Sequence, residues 1–173
     1  MKDVLRAIRE RRSIRRFLPK PVPEDLVVSL VELACWAPSA GNLQPWYFFA
    51  VFNRQVKDAL GEASADYDLI AQAPVVIVVC ADQERSAVVY EERGYHLYCL
   101  QDTAAAITLL LLAASAYGLG GCWVGAFDEG MVRRILSLPF NLRPVAMVPL
   151  GYPAERPSPP PRRPLPEVLR IIK

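Results

Sequence analysis

The densest group of side chains able to do chemistry lies near the start of the chain, in Arg11-Arg12-Ser13-Ile14-Arg15-Arg16-Phe17. Successive side chains of an extended chain point to opposite sides, so a chain that leaves its first helix at Ser13 and runs extended turns Arg11, Ser13 and Arg15 to one side. Guanidinium forks and a hydroxyl are what phosphate oxygens accept. The same run also reads as a solvated basic face, or as an arm for nucleic acid, although no aromatic or glycine interleaving and no further basic stripe accompanies it. A second constellation, Ala37-Pro38-Ser39-Ala40-Gly41-Asn42-Leu43-Gln44-Pro45-Trp46, combines small residues with amides. Small residues let backbone approach a flat ligand, and Asn42 and Gln44 can read its polar edge; the segment also passes as a plain turn. The third, Gly118-Leu119-Gly120-Gly121-Cys122-Trp123-Val124-Gly125, has neither G-x-G-x-x-G nor G-x-x-x-x-G-K-[ST] order. Rossmann and P-loop phosphate binding are therefore unsupported. Its glycines either cap the preceding helix or leave a bare backbone N–H to face a ligand atom.

Composition narrows what can surround these residues. A chain of 173 residues, 53% hydrophobic and 22% charged, is expected to fold as one compact soluble domain without disulfides or structural metal. His96 is the single histidine, so histidine-rich metal sites and repeated histidine-based catalytic centres are excluded. Cys35, Cys80, Cys99 and Cys122 lack C-x-x-C spacing, and their apolar neighbours point to buried thiols in a reducing compartment. Residues 1–20 hold eight of the twenty Lys and Arg against only Asp3 and Glu10. Of these cations, Lys2, Arg6, Arg9, Arg16 and Lys20 read as ordinary surface charge. The N-terminus has no apolar signal core, which makes cytoplasm the expectation. Thr103 to Phe127 carries no charge and is long enough to span a bilayer, but Gly118, Gly120, Gly121 and Gly125 interrupt it. A helix buried on nearly every side, and no membrane span, is the better reading.

The elements that must position the three segments follow from periodicity and caps. Helices are expected over about Asp3–Arg11, with Val4, Leu5 and Ile8 on one side, and from Glu24 until Pro38 ends the run. A short helix over Arg54–Leu60 separates strands at Trp46–Phe52 and Val75–Cys80. Asp82 to Gly94 is charged and weakly periodic, and reads as a mobile loop or lid. The long apolar helix runs from about Tyr95 to Tyr117 and stops at Gly118. A short strand near Cys122–Val124, a helix capped by Asp128 and reaching Leu136, and a strand over Val145–Leu150 complete a mixed α and β order. Tyr152 to Pro166 then contains seven of the sixteen prolines, which forbids helix or central strand. With Leu165, Val168, Leu169, Ile171 and Ile172 at its end, this tail is better suited to docking on a partner subunit than to hanging free.

In combination, R-R-S-x-R-x-F, P-S-x-x-N-x-Q-P-W, G-L-G-x-x-W-x-G, G-Y-P and an Arg-rich, Pro-rich end resemble the FMN-dependent nitroreductase family over essentially the whole chain. The resemblance implies an α+β fold with a mostly antiparallel central sheet flanked by helices, and a long buried central helix. Residues 1–173 then form one FMN-binding domain, of which 151–173 is a C-terminal extension wrapping the partner of a homodimer with FMN at the interface. By the same resemblance, Arg11 and Ser13, with Arg12 beside them, hold the FMN phosphate and ribityl chain. Arg15 lies near the N1/O2 edge of the flavin, where a cation stabilises the anionic reduced ring. Pro38, Ser39, Ala40 and Asn42, with Gln44 nearby, cover the flavin from the second subunit. Trp123, Val124 and Gly125 line the ring, with a backbone N–H near Gly125 facing N5, while Arg162 and Arg163 complete the phosphate site. The implied activity is transfer of hydride from NAD(P)H to FMN and on to a small acceptor such as a nitroaromatic or quinone. A flavin-binding sensor or storage protein with little turnover is the alternative, and no nucleic-acid partner is implied. Gly125 and Ala126 stand where many larger members carry an acidic residue and a glycine.

Overall fold

A computed structural model describes residues 3–173; Lys2, read above as surface charge, lies outside them. The chain order is α1 (Val4–Glu10), α2 (Glu24–Ala34), a 3-10 turn (Ala40–Asn42), β1 (Trp46–Val51), α3 (Arg54–Glu62), α4 (Tyr67–Ala71) and β2 (Val75–Asp82). Then follow α5 (Gln83–Arg93), a wide π turn (Gly94–Tyr98), α6 (Cys99–Ala116), β3 (Gly120–Gly121), α7 (Glu129–Ile135), β4 (Leu142–Gly151) and α8 (Leu165–Val168). The four strands form one antiparallel sheet in the order β1-β2-β4-β3.

The unbroken apolar run of β2 has a simple cause: both faces of the sheet are covered. Val75, Ile77 and Val79 share one core with Leu30 of α2, Ile107 and Leu110 of α6, and Ala146, Val148 and Leu150 of β4. Their neighbours Val76, Val78 and Cys80 point the other way, into a core with Leu60, Ile70, Val132 and Met147. Alternation with period two thus builds two cores from one strand. Burial also pushes the Cys80 thiol up to about 12, against the opposing charge of Arg133. The helical stretch from Gln83 to Ala116 contains a window apolar enough to cross a membrane. In this fold, however, the buried residues of α6 (Cys99, Asp102, Thr103, Ala106, Ile107, Leu110, Leu111 and Ala114) recur every three or four positions, and Ile107, Leu110, Leu111 and Ala114 among them pack in the core with the sheet.

Side-chain caps fix several helix starts. Asn53 Oδ1 accepts from Val56 N (3.1 Å) at α3, and Asp128 Oδ1 from Met131 N (2.7 Å) at α7, each satisfying an N–H that the first turn leaves open. The same device corrects the reading of Asp82–Gly94 as a loop: Asp82 Oδ1 caps Arg85 N (3.1 Å) and opens α5. That helix buries only Ser86, which is why no apolar stripe marked it. One further correction concerns the glycine-rich segment, whereas the apolar helix lies where it is expected. The short strand lies at Gly120–Gly121, not Cys122–Val124, because Val124 makes only an isolated bridge to Met147. The long helix begins with a wide turn at Gly94, where a Cβ would lie 2.3 Å from the Ser86 carbonyl oxygen.

Among the described residues, apolar side chains are uncovered at several places, including Val88 and Val89 of α5 and Phe140, and three of these places lie on or beside the terminal elements and α2. Val4, Leu5 and Ile8 of α1 are exposed, with Ala7 the buried residue of that helix. A groove of about 580 Å³ between α2 and β1 is lined by Val27, Val28, Val31, Trp36, Phe48 and Ala50, among others. The tail after Gly151 runs exposed through its prolines and ends in exposed Leu165, Val168, Leu169, Ile171 and Ile172.

Candidate functional site

Helix α1 ends where Arg11 leaves helical geometry (φ −54°, ψ 130°), and the chain continues extended. Ser13 pairs in parallel with Gly121, and Ile14 N donates to Gly121 O (3.0 Å). On the other side Leu18 N donates to Tyr152 O (2.8 Å) and Ala154 N to Arg16 O (2.9 Å). The arginine segment is therefore clamped between β3 and the chain leaving β4. Ile14 is buried against Gly120, where a Cβ would stand 2.5 Å from its Cγ1. With Ile14 turned inward, the flanking Ser13 and Arg15 must face away from the core.

Arg11, Arg12, Ser13 and Arg15 line a cavity of about 410 Å³ together with Pro157, Ser158, Pro160 and Arg162. Residues from the two ends of the chain converge there. Arg12 is committed locally, since its Nη1 donates to Arg9 O (2.7 Å) and Arg11 O (2.8 Å). Arg162 reaches the cavity, whereas Arg163 pairs with Glu167 (Nε to Oε2 3.2 Å) outside it. A larger cavity of about 460 Å³ adjoins it through Arg11, Arg12 and Pro157 and takes in Gly118 to Gly121. Glu155, which no sequence pattern marked, fixes the segment from behind: its Oε1 accepts from Arg15 N (2.6 Å) and Arg16 N (3.3 Å).

The glycine-rich segment reaches the same place. Burial pushes the Cys122 thiol up, while the charge of Arg15 and a hydrogen bond with Ser13 pull it down. Val124 is buried, with its N–H and carbonyl bonded to Met147 (2.9 Å each way), and its neighbours Trp123 and Gly125 are exposed. A Cβ on Gly125 would meet only Trp123 Nε1, at 3.9 Å, so there is open space beside this exposed residue. The 38–44 loop stands apart. Among the described residues, the lining of the arginine cavity includes none of Pro38, Ser39, Ala40, Asn42 or Gln44.

Gly41, Asn42 and Gln44 of that loop all adopt left-handed φ (57°, 55° and 52°). Ser39 Oγ accepts from Gln44 N (3.0 Å), and Gln44 Nε2 donates to Asn42 O (3.2 Å). Both carboxylate oxygens of Asp102 accept from Ala40 N (3.2 and 3.1 Å), and Arg85 Nε donates to Leu43 O. Burial raises the Asp102 carboxyl above its ordinary value, and the Ala40 N–H partly offsets this. Sequence reasoning missed Asp102, although one signal was visible: it is the last charge before the uncharged run from Thr103. His96 takes no part in these clusters; it pairs with Glu92 (3.0 Å).

Comparison with known proteins adds the decisive observation. The model of the nitroreductase family matches residues 8–67 and 65–152, taking in all three segments and stopping before Arg162 and Arg163. The chain belongs to the nitroreductase family. A relative named NADH dehydrogenase, from Thermus thermophilus, is 38% identical over 194 residues, covering 96% of this chain and 95% of its own. FMN reductase [NAD(P)H] of Bacillus subtilis is 27% identical over 179 residues, covering 95% of this chain and 71% of its own. A nitroreductase-like protein from Streptococcus mutans superposes with a TM-score of 0.92 at 22% identity, covering 99% of this chain and 98% of that one. This nitroreductase-family chain accordingly has the nitroreductase-like α+β fold.

Proposed function

We propose that this nitroreductase-family protein is an FMN-dependent NAD(P)H oxidoreductase that passes reducing equivalents to a small acceptor such as a nitroaromatic or quinone. The observation that carries the reading is the convergence of Arg11, Ser13, Arg15 and Arg162 on one cavity. The guanidinium groups of Arg11 and Arg162 and the Ser13 hydroxyl suit the phosphate of FMN in charge and in donor chemistry. Bound FMN would supply the hydride chemistry, between the nicotinamide donor and the acceptor. The chain's own part is to bind and orient. Arg11, Ser13 and Arg162, with Arg12 alongside, hold the phosphate end, while Arg163, paired with Glu167 outside the cavity, takes no part in it. Arg15 places a cation where the reduced ring carries negative charge. Trp123, Val124 and Gly125 line the ring, and the exposed backbone at Gly125 presents its N–H to it. Anaerobic addition of NADH or NADPH should bleach the yellow protein; flavin left oxidised by both donors would remove the reductase reading and leave a flavin-binding sensor or storage protein.

The site is completed by a second copy. Pro38, Ser39, Ala40, Asn42 and Gln44 lie away from the arginine cavity of their own protomer, so they cover the flavin held by the partner. The exposed apolar tail and the uncovered faces of α1 and α2 support a homodimer in which residues 151–173 wrap the other subunit. Sedimentation should find a particle of twice 19.3 kDa, and a species at the chain mass itself would contradict the shared site.

A further inference from the structure

We propose that Asp102 and Arg85 are positioning residues that hold the 38–44 loop in the shape that covers the flavin. The inference rests on the cofactor reading above but concerns residues outside the three motif segments. Asn tolerates the left-handed region, but a residue such as Gln enters it at a cost, and this loop places Gln44 in it beside Gly41 and Asn42. The hold comes from two helices. Asp102 of α6, only 8% exposed, directs both oxygens at the Ala40 N–H from 62 positions away in sequence. A carboxylate stripped of water is costly unless it is hydrogen-bonded, so its burial makes sense as the anchor of that N–H. From α5, Arg85 draws in the Leu43 carbonyl. Tyr90 of the same helix packs so closely that a Cβ on Gly41 would lie 2.9 Å from its Oη. Pinned at Ala40 and Leu43, the loop leaves Asn42 and Gln44 exposed, their amides linked by Gln44 Nε2 donating to Asn42 Oδ1 (3.3 Å). These amides are then fixed before any ligand arrives, which lowers the ordering cost of binding.

The test titrates flavin-free protein with FMN, following fluorescence quenching and the visible circular dichroism of the bound flavin, for wild type, Asp102→Ala, Asp102→Asn and Arg85→Met. Asp102→Ala should weaken binding by about tenfold or more, the loss of one charge-assisted hydrogen bond, and alter the dichroism at saturation. Asp102→Asn should recover most of the affinity, because an amide oxygen can accept the same N–H. Arg85→Met, on an exposed side chain, should weaken binding by about threefold to tenfold. Wild-type affinity and dichroism in Asp102→Ala would overturn the proposal. So would equal losses in the Ala and Asn variants. Should Asp102→Ala fail to fold, unchanged binding by Arg85→Met overturns it instead. If wild type binds no FMN, the cofactor reading fails, while the Ala40 amide resonance still decides the role of Asp102. That resonance should lie downfield in the flavin-free protein and revert in Asp102→Ala; an unmoved resonance contradicts the anchor.

Discussion

Arg11→Ala combined with Arg15→Ala is expected to leave the chain folded and to strip it of flavin. Arg11 is half-buried at the cavity and Arg15 is exposed, so neither truncation opens a hole in either core. Surface changes of this kind usually alter stability by less than about 0.5 kcal/mol. Each guanidinium aimed at a phosphate or an anionic ring contributes roughly 1.5–3 kcal/mol through charge-assisted hydrogen bonds. Losing both should cost about 3–6 kcal/mol of binding, on the order of a hundredfold to ten-thousandfold in Kd. Gel filtration followed by a flavin assay reads the result, with thermal unfolding of the flavin-free variant as the control for folding. Full flavin occupancy in the double variant would count against the arginine cavity as the phosphate site. Arg12→Ala should have a smaller effect, since its guanidinium is already engaged with the carbonyls of Arg9 and Arg11.

A single methyl group at Gly120 should damage stability and binding together. The added Cβ would stand 2.5 Å from Ile14 Cγ1, 2.7 Å from its Cβ and 3.0 Å from its Cγ2. Ile14 is poorly able to yield: it is β-branched, and its N–H is bonded to Gly121 O on the same strand. Overpacking of this kind costs about 1–3 kcal/mol. For a domain of this size that corresponds to a fall in Tm of roughly 2–12 °C. Because Ile14 lies between Ser13 and Arg15, its displacement also shifts the cations, and FMN affinity should fall with Tm. Calorimetry and a flavin titration on Gly120→Ala check both parts. Gly125→Ala supplies the contrast, since a methyl there meets nothing closer than 3.9 Å and should leave Tm unchanged. A Gly120→Ala protein with wild-type Tm would mean that the packing of Ile14 does not set the register of the arginine segment.

What the sequence made legible was whatever depends on local periodicity or a local cap. The continuous apolar run of β2 marked a strand covered on both faces, and Asp128 marked the start of α7. Alternation alone placed Arg11, Ser13 and Arg15 on one side. Features that depend on distant contacts or on weak local signals were not legible. Helix α5 looked like a loop because only Ser86 along it is buried, so packing left no stripe in its sequence. Helix α4 spans five residues, too few to show a period. Strand β3 consists of two glycines, which carry no strand preference and pair only because Gly151 and Leu150 lie opposite. Within the site, Arg162 gains its place through the path of a proline-rich tail, and Asp102 through a contact across 62 positions. Spacing arguments reach neither.

The central claim is that the arginine cavity exists to hold a flavin, and the visible absorption spectrum of the purified protein tests it most directly. A yellow protein with the two visible bands of bound oxidised flavin, released as FMN on denaturation, is the result expected. A colourless protein that takes up no FMN when reconstituted would contradict it.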